Sequence, residues 1–230
     1  MKFRLISRVL GIGLIAFSFL QLTPIIVSII YNEDNIIAFA YSFLITLAFG
    51  SFLYLVNFEK KYDGIRVKEG FLLTVLLWLF FTIFATLPLI FGNNSDLSIV
   101  SAYFEATSGL TTTGATIFSD LSGEYYSILF YRGLLQWIGG LGIIVLAIAL
   151  MPLLGVGGMQ LYRGETQGPI NQSKLRPKIA ETAMVLVYIY LILTFLCFIS
   201  YFMAGMGYFD AVVHSFTTIA IGGFSNYNES

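Results

Sequence analysis

Two short runs carry the residues best suited to hold an ion. They are Thr111-Thr112-Thr113-Gly114-Ala115-Thr116 and Ala220-Ile221-Gly222-Gly223. A cation leaving water needs oxygens to replace its hydration shell, and channel filters supply them as main-chain carbonyls from short extended loops. Glycine serves such a loop because it accepts backbone angles denied to other residues. Threonine tolerates extended geometry and adds a hydroxyl oxygen. Thr111, Thr112, Thr113, Gly114, Ala220, Ile221, Gly222 and Gly223 are therefore the candidate cation ligands. Other chemistries find little support. There is no HExxH and no Gly-x-Ser-x-Gly, and His214 and Cys197 are single residues, so no metal set, disulfide or membrane-embedded enzyme motif emerges.

The elements that must position these runs are apolar. Hydrophobic residues make up 57% of the 230-residue chain and charged residues 11%, and mean hydropathy is +0.84. Soluble domains carry about 25% charged residues, so too few charges remain to coat a water-facing surface. A net charge of −1 and the lack of a basic tract give no sign of nucleic-acid binding. A membrane-spanning helix needs about 20 mostly apolar residues. Val9–Tyr31, Ile36–Phe58, Phe71–Phe91, Tyr125–Leu154 and Thr182–Tyr208 meet that length, and the first is expected as one retained helix. The expectation is an all-α, multi-pass membrane protein in contact with lipid.

Lys2, Arg4 and Arg8 precede the first run. Lys60, Lys61, Arg66 and Lys68 follow the second, and Arg163, Lys174, Arg176 and Lys178 follow the fourth. The remaining connections hold acidic residues only. The positive-inside rule then places the N-terminus in the cytoplasm and the Thr/Gly runs toward the outer face.

An internal repeat reinforces the pattern. SAYFEATSGLTTTGATIFS (101–119) lies without a gap over DAVVHSFTTIAIGGFSNYN (210–228), an offset of 109. Gly114 meets Gly223, Ala102 meets Ala211 and Thr116 meets Ser225. Each Thr/Gly run follows a short amphipathic segment, about Ile99–Leu110 and Phe209–Thr218, too short to cross a bilayer. Re-entrant segments have this length, and their non-helical backbone survives at membrane depth only inside protein or along a watery cavity. Two surface loops are the plainer alternative, although loops seldom repeat a polar run at one offset.

Single residues leave readings open. Arg132, in the fourth run, is either half of a buried ion pair with Glu105 or a side chain snorkelling to the outer headgroups. His214 takes the place of Glu105 in the 109 register, as a pH-sensing group or a hydrogen-bonded packing residue behind the loop. Glu105 precedes the polar run by two helical turns, which suits an anchor better than an ion ligand. Gly139, Gly140 and Gly142 suit close helix approach. Pro152 and the glycines of MPLLGVGGMQ oppose further helix.

The stretches FEATSGLTTTGAT, LLQWIGGLGIIVLAIALMPLLGVGGMQLYRGET and HSFTTIAIGGFS resemble the N-terminal half of the Trk-type potassium uptake family, TrkH, within the Trk/Ktr/HKT superfamily. The resemblance covers nearly the whole chain. It implies two extra N-terminal helices (1–60), then M1–pore loop–M2 repeats. Repeat one spans 61–160, with M1 71–91, pore helix 99–110, filter 111–116 and M2 125–154. A cytoplasmic connector (161–179) follows. A truncated repeat two occupies 180–230, with M1 182–208, pore helix 209–218 and filter 219–225. Function by resemblance is potassium uptake across a bacterial cytoplasmic (inner) membrane, with potassium as substrate and the only metal ion. No cofactor is implied, and coupling to protons or sodium stays open. Glu105 and Arg132 become structural supports of the filter. Implied partners are a homodimer mate, a cytoplasmic nucleotide-binding regulatory ring and the missing C-terminal half or a second chain. The family's gate lies in repeat three, beyond this sequence. The alternative reading is a non-conducting truncated product or a split subunit that needs a partner half.

Overall fold

The computed structural model describes residues 3–56, 67–92, 97–154 and 172–228. Every regular element among them is helical: α1 (Phe3–Leu20), α2 (Thr23–Tyr31), α3 (Ile36–Val56), α4 (Val67–Gly92), α5 (Ile99–Leu110), α6 (Tyr126–Leu154), α7 (Gln172–Met203) and α8 (Tyr208–Ile219). Five stretches among the described residues are long and apolar enough to cross a membrane: Phe3–Tyr31, Ile36–Val56, Lys68–Gly92, Tyr126–Ile144 and Glu181–Met203. Lys60, Lys61, Arg66, Arg163 and the glycines of residues 155–158 lie outside the described residues, as does most of the stretch expected as a connector. Its last part, from Gln172, is already helical in α7.

The first apolar run is not one helix. It breaks at Gln21 and Leu22. Pro24 stands in the first turn of α2 and has no N–H to donate to Leu20. The Thr23 hydroxyl donates to the Leu20 carbonyl instead, at 2.8 Å. Gln21 is fully buried at the break. Its amide donates to Phe84 O at 3.0 Å and accepts from the Thr46 hydroxyl at 3.1 Å. Three helices are thereby tied through one side chain, where an unbonded amide would be costly. The fifth run also ends early. Gly205, with φ +97, carries the chain out of α7 in the left-handed conformation, and Met206 N closes the end on Tyr201 O. Tyr208 then begins a new helix.

α1 packs on α3, and α4 packs on α1, α3, α5 and α6. The core lies among α1, α4, α5 and α6, with Leu14, Phe17, Ala85, Leu89, Ala106 and Leu135 closed to solvent. α6 runs through the centre, and its start is fixed by the α2–α3 turn. The Glu33 carboxylate accepts from Tyr126 N and from Ser127 N, placing an anion at the positive end of α6. Asn35 donates to Gly92 O at 3.2 Å and to the Ser127 hydroxyl at 2.7 Å. These contacts set the height of α6, and so of the polar side chains it carries.

Candidate cation-coordinating site

Each Thr/Gly run leaves the C-terminal end of a twelve-residue helix, α5 or α8. The two helices begin alike. Ser98 caps α5 with φ −62 and ψ 155, and Gly207 caps α8 with φ −59 and ψ 153. They end alike too. Thr111 N bonds to Thr107 O, Thr112 N to Gly109 O and Thr113 N to Ser108 O; Ala220 N bonds to Phe216 O, Ile221 N to Thr218 O and Gly222 N to Thr217 O. Beyond these caps the backbone turns left-handed at the same places: Thr112 at φ 54 and Ile221 at 56, Gly114 at 78 and Gly223 at 83. Thr111–Gly114 and Ala220–Gly223 share only their last residue, yet they follow one backbone path at the 109 offset. A left-handed β-branched residue is rare and strained, so Thr112 and Ile221 are held there by the cap bonds on either side. Ile221 is 88% exposed.

The two Thr/Gly runs, Thr111–Gly114 (strand one) and Ala220–Gly223 (strand two), meet. A methyl group on Gly114 would lie 2.0 Å from Gly222 O and 3.5 Å from Gly223 Cα. The Thr111 hydroxyl donates to Thr107 O at 2.7 Å and lies 2.8 Å from the Thr113 hydroxyl. Beside Gly114 and Gly223 opens a cavity of about 170 Å³, also lined by Thr116, Arg132, Ser225 and Asn228.

Arg132 and Glu105 stand behind strand one, 1% and 0% exposed. Arg132 Nε meets Glu105 Oε1 at 2.8 Å, so of the two readings open to Arg132 the buried ion pair holds. The Glu105 carboxylate accepts from the Thr116 hydroxyl at 2.9 and 3.1 Å and from Ile117 N at 3.0 Å. Arg132 Nη2 donates to the Thr116 hydroxyl at 3.0 Å, and Nη1 to Ser225 O at 3.2 Å. Its guanidinium lies 5.0 Å from the Phe118 ring centre and 4.4 Å from that of Phe224. The pair is thus bonded at both ends, which buried charges require.

In the second repeat His214 occupies the place of Glu105. Its Nδ1 lies 2.9 Å from Asp210 O, an acceptor only, so Nδ1 carries the proton and Nε2 faces the Ser225 hydroxyl at 3.5 Å. Asn226 donates to Asp210 Oδ1 at 2.8 Å and the Tyr227 hydroxyl to Oδ2 at 2.7 Å. The hydrogen-bonded packing role is the one the geometry supplies for His214.

Outside the strands, Asn228 joins the two loops. Its Oδ1 accepts from Leu121 N and its Nδ2 donates to Asp120 Oδ1, both at 2.8 Å. Bonds from the Ser122 hydroxyl, Asn228 and Ser122 N hold the Asp120 carboxyl down to about 2. Because the folded value is depressed, the latch is complete above the ordinary carboxylate range and is lost only as pH falls through about 2.

The α6 glycines divide. A methyl on Gly139 would lie 2.0 Å from Leu110 O, and one on Gly140 2.8 Å from the Tyr190 hydroxyl and 3.2 Å from Ala220 Cα, whereas Gly142 has nothing within 4 Å. The first two seat α6 against the ends of α5 and α8; Gly142 has no such role. The sequence reading missed Gln136, which is fully buried and accepts from Phe224 N at 3.2 Å. Its signal was its place four residues after Arg132, on the same face of α6.

Membrane-length helices interleaved with two short helices, each followed by a Thr/Gly run, define a polytopic membrane architecture. The family model TrkH, described as a cation transport protein, matches residues 35–230. The chain belongs to the TrkH family, whose members are transporters and not enzymes. It is 49% identical over 230 residues to the Trk system potassium uptake protein TrkH of Escherichia coli (strain K12), covering 100% of this chain and 47% of that protein. To the Trk system potassium uptake protein TrkG of the same organism it is 38% identical over 227 residues, 99% of this chain and 47% of that protein. The crystal structure of the potassium transporter TrkH from Vibrio parahaemolyticus superimposes with a TM-score of 0.87 at 42% identity, covering 100% of this chain and 46% of that one. The chain spans about half the length of the curated relatives it matches.

Proposed function

We propose that this chain supplies two of the four strands of a potassium filter, Thr111–Gly114 and Ala220–Gly223, in an uptake transporter of the cytoplasmic membrane. The observation that carries the reading is the repeated backbone: two unlike sequences reach the same left-handed turns at Thr112 and Ile221 and at Gly114 and Gly223. Each follows the C-terminal, partially negative end of a helix, which favours a cation there. Carbonyls of both strands would replace the water of a dehydrated potassium ion. The Lys and Arg bias supports a cytoplasmic residue 1, and ions would then enter at the Asp120–Asn228 end. Glu105 and Arg132 brace the strands and do not touch the ion.

Two strands leave half of a fourfold ring unmade, and backbone at membrane depth without partners costs several kcal/mol per group. The remaining strands would come from further polypeptide or from a second chain, in keeping with relatives of twice this length. Residues 1–230 expressed alone are expected not to restore growth of a potassium-uptake-deficient strain at low potassium. Co-expression with the C-terminal half of a relative is expected to restore it. Rescue by residues 1–230 alone would refute the two-of-four reading and reveal a pore made from copies of this chain.

A further inference from the structure

α6 belongs to the first repeat, yet successive turns of it touch the segment 220–225 of the second. Three of its residues, four apart on one face, take part. Arg132 donates to Ser225 O at 3.2 Å. Gln136 accepts from Phe224 N at 3.2 Å. Gly140 leaves room for Ala220, whose Cα would lie 3.2 Å from a methyl placed there. Between these contacts, a methyl on Gly222 would lie 2.3 Å from Gln136 Cδ and Oε1. Gln136 therefore reaches the strand only because Gly222 has no side chain. The turns of α6 are matched to this segment in reverse chain order, meeting Ser225, then Phe224, then Ala220.

From this match we propose that Gln136 is the positioning residue of strand two. Held by its carboxamide oxygen, Phe224 N fixes the peptide that follows Gly223, and with it the height of the Gly222 and Gly223 carbonyls. Arg132 fixes the Ser225 carbonyl, two residues beyond Gly223, while its other nitrogens hold Thr116 and Glu105 of repeat one. The helix is thus a spacer that sets one strand against the other across the repeat boundary. Gln136 Nε2 is buried and has no partner among the described residues. An unpaired buried donor is costly, so this glutamine is poorly explained as a packing residue. Its acceptor oxygen is what strand two uses.

The inference rests on the filter reading above, and the test separates the two. In the four-repeat assembly, rubidium uptake into vesicles is measured against increasing potassium or sodium, and the ratio of half-inhibiting concentrations gives the discrimination. Gln136→Met keeps the length of the side chain and removes the acceptor. It is expected to lower potassium-over-sodium discrimination roughly ten-fold, the worth of one hydrogen bond. Gln136→Glu, kept neutral by burial, retains an acceptor oxygen and is expected to hold discrimination closer to the parent than Gln136→Met does. Should the Met variant fail to accumulate, Gln136→Asn withdraws the oxygen from Phe224 N while keeping an amide, and the same loss is expected. Discrimination unchanged in Gln136→Met or Gln136→Asn, with Gly114→Ser impaired, would overturn the role of Gln136 and leave the filter reading intact. Discrimination unchanged in Gly114→Ser as well would overturn both.

Discussion

Gly114→Ser is expected to abolish most potassium-over-sodium discrimination in the assembled transporter, a fall on the order of ten-fold or more, since each 1.4 kcal/mol or so of lost preference is a factor of ten. Two independent effects act at this position. Gly114 has φ +78, where an L side chain costs about 1–2 kcal/mol. Its first side-chain atom would also lie 2.0 Å from Gly222 O, so strand two must retreat by more than about 1 Å to regain ordinary contact. Any carbonyl ring completed by these strands would lose its regular spacing on that side, so potassium would no longer meet a full set of oxygens and its advantage over sodium would fall. The control is Gly142→Ala in α6, where nothing lies within 4 Å of the added methyl. It should transport and discriminate like the parent. Equal discrimination by Gly114→Ser and the parent would remove the Thr/Gly runs from the ion path.

Glu105→Ala is expected to destabilise the protein by about 3–5 kcal/mol, the usual cost of leaving one member of a buried ion pair alone. That is a large part of the roughly 5–15 kcal/mol by which folded proteins are stable. The substitution strands the 1%-exposed Arg132 and removes the acceptor of Thr116 and Ile117 N. Thermal unfolding in detergent should show a clear fall in midpoint, with less protein reaching the membrane. The pair Glu105→Met with Arg132→Met should recover part of the loss, because no charge is then left buried. A Glu105→Ala protein as stable as the parent would mean that the pair bears no weight in the fold.

The sequence made the spans legible because a bilayer allows few ways to hide backbone, and long apolar runs with flanking lysines and arginines are one of them. The repeat was legible because left-handed backbone favours glycine: Gly114 and Gly223 keep their 109 spacing while their neighbours, the left-handed Thr112 and Ile221 among them, diverge from TTT to AIG. The break at Gln21 was harder to read. Pro24 sits in a continuous apolar run, and membrane helices often tolerate proline; what breaks the run is the turn of Gln21 toward Phe84 and Thr46, distant in sequence. Arg132 stayed between two readings for a related reason. Snorkelling and pairing require the same residue type, and only the 2.8 Å approach of α5 decides between them. Gln136 lacked even a charge to draw notice. Its partner is a main-chain N–H 88 residues away, and main-chain partners leave no mark in a sequence.

The central claim is that Thr111–Gly114 and Ala220–Gly223 hold a dehydrated cation by their carbonyls. Its most direct test is a crystal structure of the assembled transporter grown in rubidium, a potassium substitute visible by anomalous scattering. The account predicts an anomalous peak between the two strands, within coordination distance of carbonyl oxygens from both, that weakens when sodium replaces rubidium. Rubidium sites confined elsewhere, with both strands well ordered and no ion between them, would contradict it.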